Sequence, residues 1–304
     1  MKLNKKELEI LDTLADGEAG ISALASSLKM KKSNLSNYLK KLGKYGLVET
    51  SRIGKSKRVS INPEARFGFS ALRGDFPTIK LSEILPGKIP FILAHLKSRG
   101  ESRLKNLDLA PATAKRLLGK LRRIGLVFMP KKGVYHLRPE AEIVSDFCRA
   151  MLMRLLSREA EGELGLIERG LYSFDSSNHA ETVFVTKRQS EPKHYCPTAY
   201  SIFAAHGVQI IQAGKYYYSS IKPDLGDAII HTLALSRDAR SISYAALLAM
   251  KNNYNPRLLL KKKQAFGLDR AYISEFVEFV RTRGEKPFQG VSLEEIKAMA
   301  HGNL

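Results

Sequence analysis

The sequence predicts a mainly α protein with small β components, made of two similar N-terminal segments and a different C-terminal domain. Two observations support this division: a repeat with an offset of 79 residues, and a concentration of positive charge in the same half. Residues 1–150 carry 30 basic and 14 acidic side chains, whereas residues 151–304 carry 20 and 16. We therefore expect the first half to bind a polyanion, either nucleic acid or an anionic membrane surface.

The repeat is clearest around the end of a predicted helix. The stretch LSNYLKKLGKYGLV at residues 35–48 is echoed by AKRLLGKLRRIGLV at residues 114–127. Both lead through a basic segment to Pro-Glu-Ala, at residues 63–65 and 139–141, and the first copy is three residues longer between these anchors. A segment that changes length between two fixed flanks is typical of a surface hairpin.

Apolar residues at helical spacing predict three helices in each copy. In the first copy these residues are Leu8, Leu11 and Leu14, then Leu24, Ala25 and Leu28, then Leu35, Tyr38, Leu39, Leu42 and Tyr45. In the second copy they are Ile89, Leu93 and Leu96, then Leu104 and Leu107, then Ala114, Leu117, Leu118, Leu121 and Ile124. Gly46 and Gly125 stand where a left-handed C-cap is favoured. Hairpins with basic tips are predicted at residues 48–61 and 127–137.

Three helices, a Lys-Lys-Leu-x-x-x-Gly-Leu-Val exit and a basic hairpin resemble the winged helix-turn-helix domains of prokaryotic transcriptional regulators. The resemblance covers residues 3–65 and 82–141. It implies winged-helix domains at residues 1–67 and 82–145, joined by a linker at 68–81. In such folds the third helix lies in the major groove and the hairpin contacts the flanking backbone or minor groove. Two basic copies in tandem favour double-stranded DNA over a protein as the partner.

The apolar stripes leave one face of each third helix for DNA. In the first copy the candidate DNA-binding residues are Lys31, Lys32, Ser33, Asn34, Ser36, Asn37, Lys40, Lys41 and Lys44, with Lys55, Lys57 and Arg58 in the hairpin. In the second copy they are Thr113, Lys115, Arg116, Lys120 and Arg123, with Lys131 and Lys132 in the hairpin. The alternative for the lysines is a solvated helix face.

Asn37 and Arg116 occupy the same position of the repeat. An amide there can pair with adenine, and a guanidinium can bridge guanine O6 and N7 or hold a phosphate. Ser33 is either an N-cap or a phosphate contact near the helix start. Gly119, in the middle of the other third helix, either allows close approach of a groove wall or has no specific role.

From residue 146 the pattern changes. A connecting helix is predicted at residues 146–170, and its stripe of Phe147, Met151, Leu155 and Leu156 serves either core packing or dimerisation. Strands are predicted at residues 182–186, 208–212 and 215–219, the last two paired through a turn at Ala213-Gly214. Helices are predicted at residues 225–235, 242–250, 257–266, 270–281 and 293–299.

The stretches at residues 224–235 and 240–252 are similar to the nucleotidyltransferase-like C-terminal domains of abortive-infection antitoxins and related archaeal regulators. The resemblance implies a nucleotidyltransferase-like α+β domain at residues 171–304, helical at its C-terminal end. An active enzyme needs a Gly-Ser pair and a strand-borne Asp-x-Asp or Asp-x-Glu for Mg²⁺. Residues 150–304 contain neither, and Asp224 and Asp227 are spaced for a helix start. We therefore expect a degenerate domain, no catalytic residue and no cofactor.

The remaining composition narrows the function classes. Two cysteines, Cys148 and Cys196, with no Cys/His cluster, support neither a disulfide framework nor a metal site. No apolar run reaches about 18 residues and no signal core follows the first residues, so we expect a cytoplasmic, nucleoid-associated protein with no membrane contact.

These observations predict a sequence-specific, double-stranded DNA-binding transcriptional regulator, repressor or antitoxin-like. A protein partner or self-association through residues 146–304 is left open. The alternatives are a DNA-maintenance or replication-origin-binding factor and, disfavoured by the missing acidic pair, a DNA-tethered nucleotidyltransferase.

Overall fold

The computed structural model describes residues 3–54, 56–63, 65, 69, 72, 74, 76, 80–84, 86–174, 181–187, 191–210, 214–218, 222–252, 254, 256, 259–260, 265–292 and 294–297. The chain divides into two compact units, with unit one reaching Glu159 and unit two beginning at Ala160. Helices predominate and the sheets are small and antiparallel. Within the described residues, no helix combines the length and the apolarity that crossing a bilayer requires.

Segment one, residues 5–61, contains three helices and a three-stranded sheet. Its elements in chain order are α1 (Lys5–Ala15), β1 (Ala19–Gly20), α2 (Ile21–Ser27), α3 (Lys32–Lys44), β2 (Val48–Ile53) and β3 (Ser56–Ile61). The sheet order is β1-β3-β2, so the short strand after α1 pairs with the far arm of the hairpin. This arrangement places α3 directly before the hairpin.

A short helix, α4 (Leu81–Ile84), precedes segment two and is held by segment one. The carboxylate of Asp12 on α1 accepts hydrogen bonds from the backbone N–H groups of Leu81 at 2.9 Å and Ser82 at 3.0 Å. The first N–H groups of a helix have no partner within the helix, so a carboxylate there satisfies them. The chain before segment two is therefore anchored to α1.

Segment two, residues 89–137, has the same order of elements except that a 3₁₀ turn stands in place of α2. They are α5 (Ile89–Arg99), β4 (Glu101–Arg103), a 3₁₀ turn (Leu104–Asn106), α6 (Pro111–Arg123), β5 (Val127–Lys131) and β6 (Val134–Leu137). The sheet order β4-β6-β5 matches that of segment one. The prediction of a full second helix at Leu104 and Leu107 is wrong, because the N–H of Leu107 donates to the carbonyl of Leu104 in a 3₁₀ turn and the extended backbone of Leu107 ends that turn.

The two segments also share the hydrogen bonds at the ends of α3 and α6. The N–H of Leu47 donates to the carbonyl of Leu42, and the N–H of Leu126 donates to that of Leu121, both at 3.0 Å. Gly46 and Gly125 have φ of +65° and +80°, which confirms the predicted left-handed C-caps. The repeat in the sequence is therefore a repeat of backbone structure.

Both segments contribute to one hydrophobic core. The same cluster of buried side chains includes Leu42 of segment one and Leu121 of segment two, together with Phe147, Met151 and Leu155. These last three lie on α7 (Glu142–Leu164), and this supports the core-packing interpretation of the helix. The observed helix begins four residues before the predicted position 146 and ends at Leu164.

Unit two combines a four-stranded sheet with helices. The strands are β7 (Arg169–Ser173), β8 (Glu181–Thr186), β9 (Cys196–Pro197) and β10 (Lys215–Tyr218), in the order β7-β8-β10-β9. The helices are α8 (Leu225–Leu235), α9 (Ala239–Lys251) and α10 (Arg270–Arg281), with 3₁₀ turns at Ala199–Ile202, Ala204–His206 and Ala265–Gly267. These bounds confirm the predicted strand at 182–186, the described residues 215–218 of the strand predicted at 215–219, and the predicted helices at 225–235, 242–250 and 270–281.

One predicted strand of unit two is wrong. Residues 208–210 form no strand, and β10 pairs with β8 and β9 instead of with that segment. The N–H of Val208 donates to the carbonyl of Phe203. The side chains of Lys251 and Asn252 donate to the carbonyls of Gly207 and His206. The backbone just before residue 208 therefore ends a helical turn, and its carbonyls do not pair with a strand. Most of the predicted helices at 257–266 and 293–299 lie outside the described residues, although residues 294–297 are helical.

Candidate nucleic-acid interface

Helix α3 buries one stripe and exposes the other face. Leu35, Leu39 and Leu42 are buried. The predicted DNA-binding residues that are exposed on this helix and its N-cap are Lys31, Lys32, Ser33, Asn34, Ser36, Asn37, Lys40 and Lys44. No acidic residue lies between residues 31 and 46, so the exposed face carries positive charge alone.

Helix α3 begins two residues earlier than an N-cap at Ser33 would require. Lys31 is the N-cap, with extended backbone, and no side chain caps the helix. The N-cap interpretation of Ser33 is therefore wrong. Helix α6 is similar, because Ala110 is its N-cap, Pro111 follows and no side chain caps it. The first-turn N–H groups of both helices have no capping side chain, and this favours a phosphate there.

Lys41 differs from the other predicted residues of α3. Its ammonium lies 2.6 Å from a carboxylate oxygen of Glu7 on α1, a side chain with no exposed surface. It also lies 6.0 Å from the centre of the Tyr45 ring. Glu7 accepts a hydrogen bond from the N–H of Asn4 at 2.8 Å, so the carboxylate links two helices and a cap. Lys41 therefore points to α1 and is not on the open face.

We expect Lys41→Met to destabilise the protein, because it leaves the buried Glu7 carboxylate without its cation. Breaking a buried ion pair costs about 3–5 kcal/mol, and partial exposure of Lys41 reduces this to about 1–3 kcal/mol. Lys40→Met is the matched control: Lys40 is exposed, so its loss should change stability by less than about 0.5 kcal/mol. Urea unfolding followed by circular dichroism measures both. Equal stability of the two variants would contradict the role of Glu7.

The hairpin of segment one has a two-residue loop after the pair Ile53 and Ser56. Lys57 is exposed and stands opposite Arg52, an exposed cation that the sequence prediction missed and that the strand register identifies. Arg58 is exposed but forms an ion pair with Glu18. The predicted residue Lys55 lies outside the described residues. Arg52 and Lys57 are therefore two exposed cations that face each other near the end of this hairpin.

Helix α6 and its hairpin present a second basic surface. Lys115, Arg116, Arg123, Lys131 and Lys132 are exposed, whereas Thr113 and Lys120 are half-buried. Arg122 is also exposed and was missed, although it lies outside the apolar stripe. The prediction that Ile124 belongs to the buried stripe is wrong, because 36% of its surface is exposed. Open space surrounds Gly119, with no atom within 4 Å of the position of a Cβ.

Among the described residues, no group of three or more His, Cys, Asp or Glu side chains is arranged to hold a metal ion. Cys148 is buried on α7, and its burial raises the pKa of the thiol well above its usual range. A neutral, enclosed thiol is a poor nucleophile and a poor ligand.

The comparison with known families agrees with this geometry for segment one. The family model described as "Bacterial regulatory protein, arsR family" matches residues 4–50. The match runs from the N-cap of α1 to the start of β2, so it covers the three helices. No curated protein and no solved structure matches the chain significantly. Residues 4–50 are thus a helix-turn-helix similar to that of DNA-binding transcriptional regulators.

Proposed function

We propose that the chain is a sequence-specific transcriptional regulator that binds double-stranded DNA with both segments, each a winged-helix domain. Helices α3 and α6 are then the two recognition helices. The observation that carries this proposal is the structural repeat. Segment two has the sheet order and the helix-exit hydrogen bonds of segment one, and the same element order with a 3₁₀ turn in place of α2. We therefore extend to residues 89–137 the DNA-binding role that the family match indicates for residues 4–50.

The distribution of charge supports the same proposal. Besides Arg58, which pairs with Glu18, ten predicted cations are exposed on the two helices, the N-cap of α3 and the hairpins: Lys31, Lys32, Lys40, Lys44, Lys57, Lys115, Arg116, Arg123, Lys131 and Lys132. A solvated face alone does not explain why cations occur on a helix and on the following hairpin in both copies. Phosphates along a duplex do explain it, because the helix and the hairpin of such a fold contact the same DNA.

The two kinds of element have different roles in this proposal. Asn37 and Arg116 lie in the middle of the exposed helix faces, where side chains reach base edges. Lys57 and Lys132 lie near the ends of the hairpins and carry charge without a directional fork. We therefore assign base reading to the helices and phosphate anchoring to the hairpins.

Two substitutions in the full-length chain test this assignment. Arg116→Ala is expected to cost about 1–3 kcal/mol on the preferred duplex and to relax the preference at one base pair. Lys132→Ala is expected to weaken all duplexes by similar factors. Sequencing the DNA that the protein retains in cells gives the preferred duplex. Fluorescence anisotropy with this duplex and with scrambled duplexes then measures both effects.

The opposite pattern would contradict the assignment. If Lys132→Ala alters base preference while Arg116→Ala lowers binding uniformly, α6 does not read bases. If neither change affects binding, segment two does not contact DNA. The retained fragments also separate the two biological roles: sites near a few promoters support a regulator, and sites confined to a replication origin support a maintenance factor.

For unit two we propose a degenerate, non-catalytic nucleotidyltransferase-like domain that gives the regulator a repressor or antitoxin-like character through a protein partner. The behaviour of Asp224 and Asp227 supports the absence of catalysis. Asp224 accepts from the N–H of Asp227 at 2.8 Å, and Asp227 accepts from the N–H of Asp224 at 3.0 Å. This reciprocal cap uses both carboxylates at the start of α8. Transfer of a labelled nucleotide by the purified protein would contradict the proposal.

A further inference from the structure

Unit two contains a cleft of about 370 Å³ between its sheet and the first turns of α9. The sheet wall includes Arg169 on β7, Val185 on β8 and Tyr216 on β10. Arg169 pairs with Val185, and Val185 pairs with Tyr216. Directly paired residues of antiparallel strands point to the same face, so these three side chains form one continuous surface. The volume is within the range of small-molecule sites.

Tyr200 contacts both the sheet wall and the helix wall of the cleft. The hydroxyl of Tyr200 donates to Oγ of Ser241 on α9 at 2.6 Å. The Tyr200 ring lies 5.1 Å from the ring of Tyr216 and 6.4 Å from that of Tyr244, each at a steep angle. Burial raises the pKa of Tyr200 to about 12, so its hydroxyl is neutral at physiological pH. The cleft is therefore lined by three fixed aromatic rings.

Two guanidinium groups and one carboxylate line the cleft, so the net charge of its lining is positive. Arg169 contributes a guanidinium from the sheet wall and Arg240 one from the helix wall. Arg240 also lies 5.6 Å from the centre of the Tyr244 ring. The acidic residue among the described lining residues is Asp238, whose carboxylate accepts from the N–H of Ser241 at 2.7 Å and from Oγ of Ser236 at 2.6 Å. Asp238 is thus used as the N-cap of α9.

We propose that this cleft binds a small organic anion that carries a flat ring. Its phosphate or carboxylate group lies between the guanidinium groups of Arg169 and Arg240, which match the planar geometry of such anions. Its ring packs against the tyrosine rings, where edge-to-face and offset contacts are favourable. The site lies wholly within unit two, so its test does not depend on DNA binding by unit one.

Isothermal titration of the full chain with small probes tests the ligand class. Benzoate and phenyl phosphate carry both a ring and an anion, and each is expected to saturate one site per chain. Acetate and inorganic phosphate, which lack the ring, should bind at least about tenfold more weakly, and benzylamine, a ring with a positive charge, should not bind. The ratio of benzoate to phenyl phosphate affinity shows which anion the cleft prefers. Binding of inorganic phosphate as tight as that of phenyl phosphate, or no binding of either ring-bearing anion, would overturn the proposal.

Substitutions assign the binding to the cleft. Arg169→Met and Arg240→Met should each weaken the better probe about tenfold or more, and Arg240→Lys should retain part of the affinity. The matched control is Arg270→Met, an exposed arginine in the first turn of α10, and Arg116→Ala tests the basic surface of unit one. Both should bind the probe as the original chain does, and thermal unfolding verifies that every variant is folded. Equal losses in the control variants would place the anion elsewhere.

Discussion

Raising the salt concentration from 50 to 200 mM is expected to weaken binding of the full chain to duplex DNA by about 10³–10⁵-fold. A lysine or arginine that neutralises a phosphate releases a condensed counterion, so affinity falls with the number of such contacts. The ten predicted cations named above, exposed on α3, its N-cap, α6 and the hairpins, supply the roughly 6–10 contacts that this range requires. Anisotropy titrations at four or more salt concentrations give the slope.

Single substitutions make the salt experiment specific. Lys132→Ala should lower the slope of log affinity against log salt by about one unit, because one phosphate contact is lost. Lys222→Ala removes an exposed lysine of unit two and should leave the slope unchanged. A nearly flat salt response of the original chain would contradict duplex DNA as the partner of the basic surface and would indicate a protein there.

Leu118→Ala is expected to destabilise the whole of unit one by about 2–5 kcal/mol. Leu118 lies on α6 with no exposed surface, and its removal leaves a cavity in a densely packed interior. Its cluster of buried side chains also contains Leu42 of α3 and Phe147 of α7. Because the cluster is continuous, we expect α3 and α6 to lose stability together.

Hydrogen exchange followed by mass spectrometry measures this effect by position. In Leu118→Ala, amides of α3 as well as α6 should exchange about 30-fold faster or more, since each 1.4 kcal/mol is a factor of ten. Leu39→Ala, at the equivalent position of segment one, should give the same pattern. Faster exchange confined to residues 89–137 in the first variant would show that the segments unfold independently.

The sequence predicted those parts of unit one that depend on local spacing. The apolar stripes of α3 and α6 follow the period of a helix, and Gly46 and Gly125 are required where φ is positive. The hairpins follow from β-prone runs around Gly54 and Gly133, whose φ values are also positive. Each of these signals lies within a few residues of the element it predicts, so the fold does not need to be known first.

The predictions that were wrong or missing concern residues whose positions depend on contacts between elements distant in the sequence. Lys41 is on the polar side of α3 by its spacing, yet Glu7, 34 residues earlier, draws it toward α1. Residues 208–210 have the composition of a strand, but Lys251 and Asn252 bind the carbonyls before them. The cleft of unit two joins Arg169, Tyr216 and Arg240, which no local pattern connects. These positions were decided by tertiary structure.

The two hairpins of unit one differ in length, although the helices before them do not. Both arms of the first hairpin have six residues, whereas those of the second have five and four. At about 3.4 Å per residue the first extends roughly 20 Å and the second roughly 15 Å. The difference of about 5 Å equals the rise of one to two base pairs. If both hairpins contact one duplex as proposed, one half of the binding site meets the longer hairpin and the other half the shorter one. We then expect the chain to bind a site in one orientation and to bind the reversed sequence more weakly.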